Sequence, residues 1–496
     1  MQPMKHPHRD SEKPFKSAKG TIRYFLSAIA SGLILTACAP VGPDYTPIQP
    51  EAPERWDAEM AGGLTASQPD TDTLAHWWTI FNDRELSSLE ERAVNGNLEL
   101  QTARSRIQEA RALRGISQSR LFPAVGASAA ASKIRSSESG GSGKQIEFYT
   151  AGFDAGWELD IFGGLRRSVE AFQADLEASQ ANLHSVLISL MAEVALNYVD
   201  VRLNQAQLTV TRANIKTQEE SYKLNLSRNQ AGIIDELAVQ ESLRILESSR
   251  SQIPALETRL AAAKNRLAVL LGRQPGELAQ ELVEEKAIPA LPVTVAIGIP
   301  AETLRRRPDI RFAERLLAAQ TARVGVATAD LYPKFQLLGS IGLESIDSGD
   351  FLDWGSRYWS IGPSASWMIF DGGAIRQNIK ARTARQEQAL IQYQATILQA
   401  QEEVENALVA YAKEQRRRDS LDKAATAAQR AELLARDKYQ AGLVDFNNVL
   451  DAQRSLLILQ SELNLSTGAA TANLVRLYKS LGGGWEYAAS LEDTLK

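Results

Sequence analysis

Few residues in this chain could carry out covalent chemistry. Beyond residue 38 the only histidines are His76 and His184, far apart in sequence, and Cys38 is the only cysteine. These counts exclude an intrachain disulfide, a cysteine-based metal cluster and an HExxH zinc site. The sequence also contains no phosphate-binding loop, nucleophile elbow or dinucleotide fingerprint. We therefore expect no catalytic residue, no metal and no cofactor.

Two similar stretches of sequence predict turns. Charged residues that are candidates for a function lie beside these turns. Residues 229–242 read NQAGIIDELAVQES, and residues 439–452 read YQAGLVDFNNVLDA at an offset of 210. Gly232 and Gly442 suit the left-handed residue that follows the end of a helix. The repeated motif therefore predicts a helix, a tight turn and a second helix in each half of the chain.

An aspartate follows each turn glycine by three residues. Asp235 and Asp445 stand where a side chain can cap the start of a helix. Beyond the second turn, Asp451 and Arg454 lie three residues apart and are therefore neighbours on one helix surface. The charged residues with the strongest claim to a function thus lie beside this turn.

Two segments predict unusually long helices. Leu165 to Ala231 and Ala374 to Ala441 contain neither glycine nor proline, and each would reach about 100 Å if continuous. Residues spaced by three or four form one seam in the first segment: Leu183, Leu187, Leu190, Val194, Tyr198 and Val201, continued by Gln205 and Leu208. Because the rest of the surface is polar, such a helix needs a partner helix along its length.

The natural partners are the segments that follow the two turns. They run from Ile233 to Leu271 and from Leu443 to Leu481. Pro254 should kink or split the first of them, because proline removes a backbone donor and crowds the preceding turn. Its counterpart Asn464 imposes no such break, so we expect the two halves to differ.

Four shorter segments alternate with period two, which predicts strands with one apolar and one polar face. They are EFYTAGFDAGWELDI with apolar positions from Tyr149 to Ile161, RYWSIGPSASWMIF from Trp359 to Ile369, PKFQLLGSIGLES from Phe335 to Leu343, and the weaker LFPAVGASAAAS from Leu121. Strands of this length with Trp or Tyr near their ends match a transmembrane barrel wall, although a soluble sandwich gives the same alternation. Four strands cannot close a barrel, so spanning strands would require several chains.

The N-terminus predicts export to the cell envelope. Basic residues precede the short apolar run YFLSAIASGLIL, which ends in LTAC at Cys38. LTAC resembles the bacterial lipobox, which implies cleavage before Cys38 and acylation of that residue; a buried cysteine in an ordinary leader is the alternative. Ala39, in place of Asp, implies an outer-membrane address by the same resemblance. The proline-rich residues 39–56 predict an extended tether, and the net charge of -5 argues against a nucleic-acid partner.

Six segments carry the resemblance of this chain to a known family: WWTIFNDREL from Trp77, LRRRPDIRFAE from Leu304, LYPKFQLLGSIG from Leu331, WMIFDGG from Trp367, YQAGLVDFNNVLDAQRS from Tyr439 and LYKSLGGGW from Leu477. In this order they resemble the TolC-like outer membrane factors of tripartite efflux pumps, specifically the lipid-anchored OprM and NodT branch. The resemblance implies an internally duplicated fold of long α-helices and transmembrane β-barrel strands. A homotrimer would combine four strands per chain into a twelve-stranded barrel and its helices into a periplasmic tunnel.

The same resemblance implies partners and a cargo. A periplasmic adaptor would dock at the two hairpin turns, formed by Gln230, Ala231, Gly232, Gln440, Ala441 and Gly442. An inner-membrane transporter of the resistance-nodulation-division class would deliver small toxic compounds or drugs, which the channel conducts passively from its periplasmic tip through the outer membrane. A duct for type I protein secretion and a non-porous envelope lipoprotein are the alternatives.

The family resemblance also assigns a gate beside the second turn. The segment DAQR matches the family segment whose Asp constricts the closed aperture and whose Arg ties helices together, so these roles pass to Asp451 and Arg454, with Asp445 nearby. Asn447 departs from the Leu of related sequences and would weaken an apolar constriction. At the corresponding positions of the first repeat, Glu241 and Arg244 either share the gate or lie on the outer, solvated surface.

Three further motifs have a functional and a structural interpretation. RRRPDI at Arg305 could bind an anion, or Pro308 could start a helix while the arginines are solvated or pair between segments. Trp77, Trp78 and Phe81 could bind an aromatic ligand or pack in the interior. His184 lies beside the apolar seam, where packing or surface exposure is the ordinary role.

The predicted organisation follows from these patterns. It comprises a lipoprotein signal peptide (1–37), a lipidated tether (38–72), first helices (73–120), a strand hairpin (121–162), a long helical hairpin (163–272), an inter-repeat linker (273–300), a further helix (301–330), a second strand hairpin (331–371), a second helical hairpin (372–482) and a C-terminal tail (483–496).

Overall fold

The computed structural model describes residues 39–48 and 52–487. The predicted signal peptide, the acylation site Cys38 and the end of the C-terminal tail lie outside the described residues. The chain forms two compact units. Of the described residues, the strand unit contains those up to Tyr45 together with Gly115–Ala171 and Gln320–Ala384, and the helical unit contains those from Thr46 to Arg114, Phe172–Ala319 and those from residue 385 to residue 487.

Helices account for most of the secondary structure. In chain order they are α1 Thr71–Ala75, α2 Arg84–Gly96, α3 Leu98–Ser119, α4 Gly164–Gln230, α5 Glu236–Arg250, α6 Gln252–Leu270, α7 Pro300–Arg306, α8 Pro308–Ala329, α9 Ala374–Gln440 and α10 Phe446–Ser480. Short 3-10 turns occupy Trp77–Phe81, Glu277–Ala279 and Trp354–Ser356. Within the described ranges, no helix combines the length and apolar character needed to cross a membrane.

The strands are β1 Leu64–Thr65, β2 Ala124–Arg135, β3 Gln145–Leu159, β4 Val295–Ala296, β5 Lys334–Ser345 and β6 Arg357–Ser366. Each half of the chain thus contains a strand hairpin, a helix of 67 residues, a glycine turn and a returning helical segment. This order confirms the predicted duplication and both long helices. The predicted inter-repeat linker contains β4, which pairs in parallel with β1.

The strand unit holds one antiparallel sheet in the order β2-β3-β5-β6. Its two hairpins have the same register, since Ala124 lies opposite Gly156 in the first and Lys334 lies opposite Ser366 in the second. Each of these positions is shifted by 210 residues between the hairpins. The repeat therefore extends to individual strand pairs, and β2 and β6 remain as the two edges.

The two faces of this sheet differ in polarity, as the alternation predicted. Phe153, Ile341 and Trp359 lie opposite one another on neighbouring strands and are all exposed. On the other face, the Ser340 and Ser360 hydroxyl oxygens lie 2.7 Å apart. An exposed apolar face opposite a hydrogen-bonded polar face is the pattern of a strand that faces lipid on one side.

Both second strands end earlier than the alternation predicted. β3 ends at Leu159 and β6 at Ser366, so the assignment of Ile161 and Ile369 to strands was wrong. Ser366 pairs with Lys334, the first residue of β5, and no partner backbone continues the ladder beyond it. After β3, Asp160 instead accepts hydrogen bonds from the first amides of α4.

The returning helices differ in the way that Pro254 predicted. α5 ends at Arg250 and α6 begins at Gln252, which places Pro254 in the first turn of α6. An amide in the first turn of a helix lacks an intrahelical acceptor, so the missing N–H of proline costs little there. By contrast, α10 continues unbroken for 35 residues through Asn464.

The described start of the predicted tether is extended but held against the strand unit. The Val41 amide donates to the Phe162 carbonyl oxygen at 3.0 Å. The buried Arg167 guanidinium donates to the Val41 carbonyl oxygen at 3.2 Å and pairs with the Asp44 carboxylate. The described residues 39–48 contain no helix, and these contacts hold them on the strand unit.

The main core of the helical unit contains the predicted seam of α4. Its members from Leu183 to Val201 are buried, together with Gln205 and Leu208. Trp77, Trp78 and Phe81 are buried in the same core, and Trp77 stacks on Tyr478 with ring centroids 5.8 Å apart. Packing is therefore the role of these aromatic residues.

Two buried arginines connect segments of the helical unit. Pro308 starts α8 as predicted, and the preceding Arg307 pairs with Asp309 and Glu403 while donating to the Ser480 carbonyl oxygen. Arg202 is buried on α4 and pairs with Glu85. The interpretation of RRRPDI as paired arginines is confirmed for Arg307, whereas nothing in the sequence singled out Arg202.

The burial of Glu90 predicts how the free energy of unfolding depends on pH. Its carboxyl group is fully buried on α2 without a hydrogen-bond partner among the described residues, and burial raises its pKa well above the ordinary value. A raised folded-state pKa gives stability that is complete below the unfolded-state pKa and is lost as pH rises through the folded-state pKa. Between the unfolded-state and folded-state pKa values the unfolding free energy should fall by up to about 1.4 kcal/mol per pH unit.

We expect Glu90→Gln to remove this fall, because glutamine has no proton to lose. Unfolding in detergent, followed by circular dichroism across a pH series, measures the effect. Glu91→Gln is the matched control, because the carboxylate of this neighbouring residue is exposed. A parent protein whose stability is flat with pH would contradict the prediction.

Candidate functional site

The two predicted turns have nearly identical backbone geometry. Gly232 and Gly442 adopt positive φ angles of 70° and 74°. After each glycine the next amide reaches back across the helix end: Ile233 donates to the Arg228 carbonyl oxygen and Leu443 to that of Lys438, both at 2.9 Å. This bond and the left-handed residue form the predicted helix C-cap.

The aspartates after the turns occupy the predicted cap positions but differ in their side-chain bonds. Asp235 accepts from the Ala238 amide at 3.3 Å and caps α5. Asp445 stands at the N-cap of α10 with a similar extended backbone, yet its side chain makes no capping hydrogen bond. The cap prediction is therefore confirmed in full for Asp235 and only for the backbone position of Asp445.

A small apolar cluster binds the helices together near the turns. Its buried members are Tyr439, Phe446, Val449 and Leu450, and Leu224, Ala238 and Ile245 pack against it. These residues come from α4, α5, α9 and α10. The cluster therefore joins the first helical hairpin to the second within the helical unit.

A polar latch lies at the edge of this cluster and joins α4 to α9. The Tyr439 hydroxyl donates to the Asn225 Oδ1 atom at 2.8 Å, and both side chains are buried. The Arg228 guanidinium carbon lies 4.6 Å from the centre of the Tyr439 ring, where a cation–π attraction operates. Arg228 also donates to the Gln440 carbonyl oxygen at 3.4 Å.

Further from the turns, the seam between α4 and α10 is polar. The buried α4 residues at three- and four-residue spacing are Gln207, Thr211, Asn214, Gln218, Ser221 and Asn225. Gln207 donates to the Ser461 carbonyl oxygen at 2.9 Å, Asn214 to the Gln460 amide oxygen at 3.1 Å, and Gln453 to the Ser221 hydroxyl at 3.1 Å. Hydrogen bonds thus replace apolar packing along this part of the hairpins.

The predicted gate residues lie on the exposed side of α10. Asp451, Arg454 and Asn447 are exposed, and within the described residues the structure shows no ion pair between Asp451 and Arg454. In the first repeat, Glu241 is half-buried and Arg244 is exposed on α5. All of these residues lie close to the turns in sequence. Their exposed charged groups can contact another molecule.

Sequence reasoning missed the latch and the polar seam. The seam continues the spacing of the apolar stripe of α4, but its residues are Gln, Asn, Thr and Ser, which a search for apolar periodicity passes over. The only signal for the latch was the Tyr439 that precedes the second turn motif, where the first motif has Asn229.

The histidine beside the apolar seam is a packing residue. His184 stacks on Trp485 with ring centroids 4.8 Å apart. Burial, with a smaller contribution from the Arg311 charge, lowers its pKa to about 4. The structural interpretation of His184 is thereby confirmed, and the first described residues of the C-terminal tail are shown to pack on the core.

These features define a class of protein. A lipid-facing sheet, duplicated long helices and paired glycine turns are the parts of an outer-membrane channel with a long helical portion. The family model for "Outer membrane efflux protein" matches residues 89–273 and 299–483. The chain belongs to this family.

Individual relatives cover almost the whole chain. "Nodulation protein T" of Rhizobium leguminosarum bv. trifolii is 34% identical over 440 residues, covering 87% of this chain and 91% of its own. "Outer membrane protein OprJ" of Pseudomonas aeruginosa is 32% identical over 476 residues, covering 94% and 97%. A solved structure of the outer-membrane channel OprN matches with a TM-score of 0.85 and 36% identity, covering 90% of this chain and 99% of that chain.

Function and location follow from the family. The protein is an outer-membrane efflux channel of a Gram-negative bacterium and extends into the periplasm. Channels of this family are trimeric and work with adaptors and inner-membrane pumps in tripartite systems. The predicted fold class, family and location are confirmed by these comparisons.

The latch joins α4 to α9, so loss of its hydrogen bond should let these two helices separate more easily. Tyr439→Phe keeps the ring but removes the hydroxyl donor to Asn225, at a cost of about 1 kcal/mol for a buried hydrogen bond. We expect more frequent openings in single-channel recordings in planar bilayers. Tyr411→Phe is the matched control, because the hydroxyl of this buried tyrosine bonds Gln415 on the same helix. Equal open probability in both variants would show that the bond between Tyr439 and Asn225 does not restrain channel opening.

Proposed function

We propose that the chain forms a homotrimeric duct that conducts small toxic compounds passively and is gated beside its hairpin turns. The observation that carries this proposal is the arrangement around the second turn. Asp451 and Arg454 are exposed on the same helix whose start belongs to the apolar cluster at Val449 and Leu450. The charged groups therefore lie on α10, whose start belongs to the cluster that joins both hairpins.

In a trimer each of these side chains would occur three times around the axis. A ring of carboxylates attracts cations and narrows an opening, as in the charged rings of cation channels. Arg454 could pair with a carboxylate of a neighbouring copy, since its guanidinium is exposed and lies one turn from Asp451. Asn447, about one turn before Asp451, makes the adjacent constriction polar rather than apolar.

The trimer would also satisfy the sheet. Edge strands β2 and β6 cannot remain unpaired in lipid, where each free backbone group costs several kcal/mol. Three copies of the four-stranded sheet, joined β6 to β2, would give a closed twelve-stranded barrel. The chain itself acts as no enzyme in this proposal, so energy for transport comes from the pump.

The turns would serve as the docking site for the adaptor. Both of them expose an apolar side chain directly after the glycine, Ile233 in the first and Leu443 in the second. The conformation of Gln230, Ala231 and Gly232 recurs at Gln440, Ala441 and Gly442. A trimer would present six such turns, which suits an adaptor that binds at several equivalent sites. A pump of the resistance-nodulation-division class would complete the system.

The gate assignment predicts two electrical changes. Replacing Asp451 and Arg454 together with Ala should raise open probability in planar bilayers, because the proposed links between copies are lost. Asp451→Asn alone should reduce the preference for cations, because the ring loses its negative charge. Asp419→Ala, which removes an exposed carboxylate of α9 away from the turns, is the control.

The same recordings decide the role of the first-repeat pair. If Glu241 and Arg244 share the gate, their double Ala variant should also open more often; if they lie on the solvated outside, it should match the parent. Open probability and cation selectivity that stay unchanged in the Asp451 and Arg454 variants would contradict the gate assignment.

The docking assignment predicts a separate loss of adaptor binding. Ile233→Ser with Leu443→Ser removes the exposed apolar contacts and should reduce co-purification of the periplasmic adaptor by about tenfold for a loss of 1.4 kcal/mol. Val293→Ser is the matched control, since this apolar side chain is exposed in the inter-repeat linker. Reduced binding in the control as well would show that the effect is not specific to the turns.

A further inference from the structure

An aromatic stack inside the strand unit joins the two repeats. Phe162, which follows β3, stacks on Tyr332, which precedes β5, with ring centroids 4.5 Å apart and planes inclined by 20°. The stack stands at the end of the β3–β5 ladder, where the first repeat pairs with the second. It is a contact between the end of one hairpin and the start of the next.

The sequence contains a second set of both partners. At an offset of 210, Tyr332 corresponds to Phe122, which precedes β2. Phe370 is likewise the aromatic residue between the strand tryptophan and the Gly-Gly pair before the long helix, although it follows its tryptophan by three residues, whereas Phe162 follows Trp157 by five. The connection from Trp367 to its glycines is one residue shorter than in the first repeat.

This second set is unpaired within one chain. Phe370 is 86% exposed and Phe122 is 69% exposed, whereas Tyr332 is 38% exposed in the internal stack. The tryptophans differ in the same direction: Trp157 on the central strand β3 is 36% exposed, and Trp367 after the edge strand β6 is 57% exposed. Both donate to the carbonyl oxygen of the leucine 36 residues earlier, so their local structures are alike.

We propose that Phe370 of one copy stacks on Phe122 of the next copy, and that β6 pairs with β2 of that copy in the register of β3 with β5. This inference rests on the oligomeric channel proposed above and specifies its contacts. Ala155 lies opposite Gly339 in the internal ladder. Shifting both positions by the repeat places Ala365 opposite Ala129 of the next copy.

The transferred register agrees with the polarity of the two edge strands. It keeps odd-numbered residues opposite odd-numbered residues, so the apolar faces of β6 and β2 stay on the same side of the joined sheet. A shift by one residue would move every side chain of one copy to the opposite face. Pairing in the transferred register would also cover four apolar residues that are exposed after β6, namely Trp367, Met368, Ile369 and Phe370.

Disulfide cross-linking tests the register. Ala365→Cys with Ala129→Cys in one chain places the two Cα atoms about 5 Å apart across the interface, which suits a disulfide. Within one chain the same residues stand on opposite edges of the sheet and eight residues out of register, since the ladder from Ala129 leads to Arg357, so their Cα atoms lie about 30 Å apart. We expect covalent oligomers on non-reducing gels after mild oxidation of the outer-membrane protein.

Two controls make the result specific. The parent, whose only cysteine is Cys38, gives the background, and Ala365→Cys with Ala127→Cys shifts the pair by two residues on the same face. Preferential cross-linking of the shifted pair, in a protein that still forms oligomers, would overturn the register and leave the channel proposal intact. Absence of any oligomer would overturn both.

The aromatic stack has its own test. Phe370→Ser and Phe122→Ser should each destroy the SDS-resistant oligomer at a temperature where the parent retains it, and their combination should add little further loss because one contact is removed in all three. Phe370→Tyr keeps a ring and should retain the oligomer. Leu352→Ser is the matched control for removing an exposed apolar side chain. Additive losses, or an equal loss in the control, would overturn the stack.

Discussion

The constraint on which this structure depends is that each 67-residue helix must be covered along its length by other helices. An isolated helix gains little from hydrogen bonds alone, and most helical stability in proteins comes from packing of one face. α4 has such a face, a narrow stripe that is buried from Leu183 to Asn225. The glycine turns and the returning helices α5, α6 and α10 supply the cover.

The character of the stripe changes along α4, and this change divides the helical unit into parts of different strength. Burial of a leucine-sized side chain contributes about 1.5–3 kcal/mol, whereas a buried hydrogen bond contributes a net 0.5–1.5 kcal/mol, both as approximate values. The apolar stretch from Leu183 to Val201 therefore fixes α4 firmly in the main core. The polar stretch from Gln207 to Asn225 keeps the hairpins aligned, but separating the helices there costs less free energy. That stretch leads to the turns, where we place the gate.

Much of the fold could be predicted from sequence because its signals are local and repeated. Absence of glycine and proline predicted the long helices, alternation predicted the strands, and Pro254 predicted the break between α5 and α6. Strand ends were less predictable, because β6 stops where β5 offers no further partner. At the site, the turns could be predicted, but the bond from Tyr439 to Asn225 joins residues 214 positions apart. Glu90 reads as a surface glutamate in sequence, and only the assembled core shows its burial.

The two repeats differ for two separate physical reasons. Near the turns they differ in sequence: Tyr439 replaces Asn229 and bonds across to α4, while Asn229 donates to the Ile234 carbonyl oxygen within its own turn. In the strand unit the residues are alike and their local bonds are alike, yet their exposure differs. Local sequence cannot produce that second difference. It arises because β3 and β5 are neighbours in the same chain, whereas β2 of the first repeat and β6 of the second repeat are the two edges of the sheet, which we propose that other copies cover.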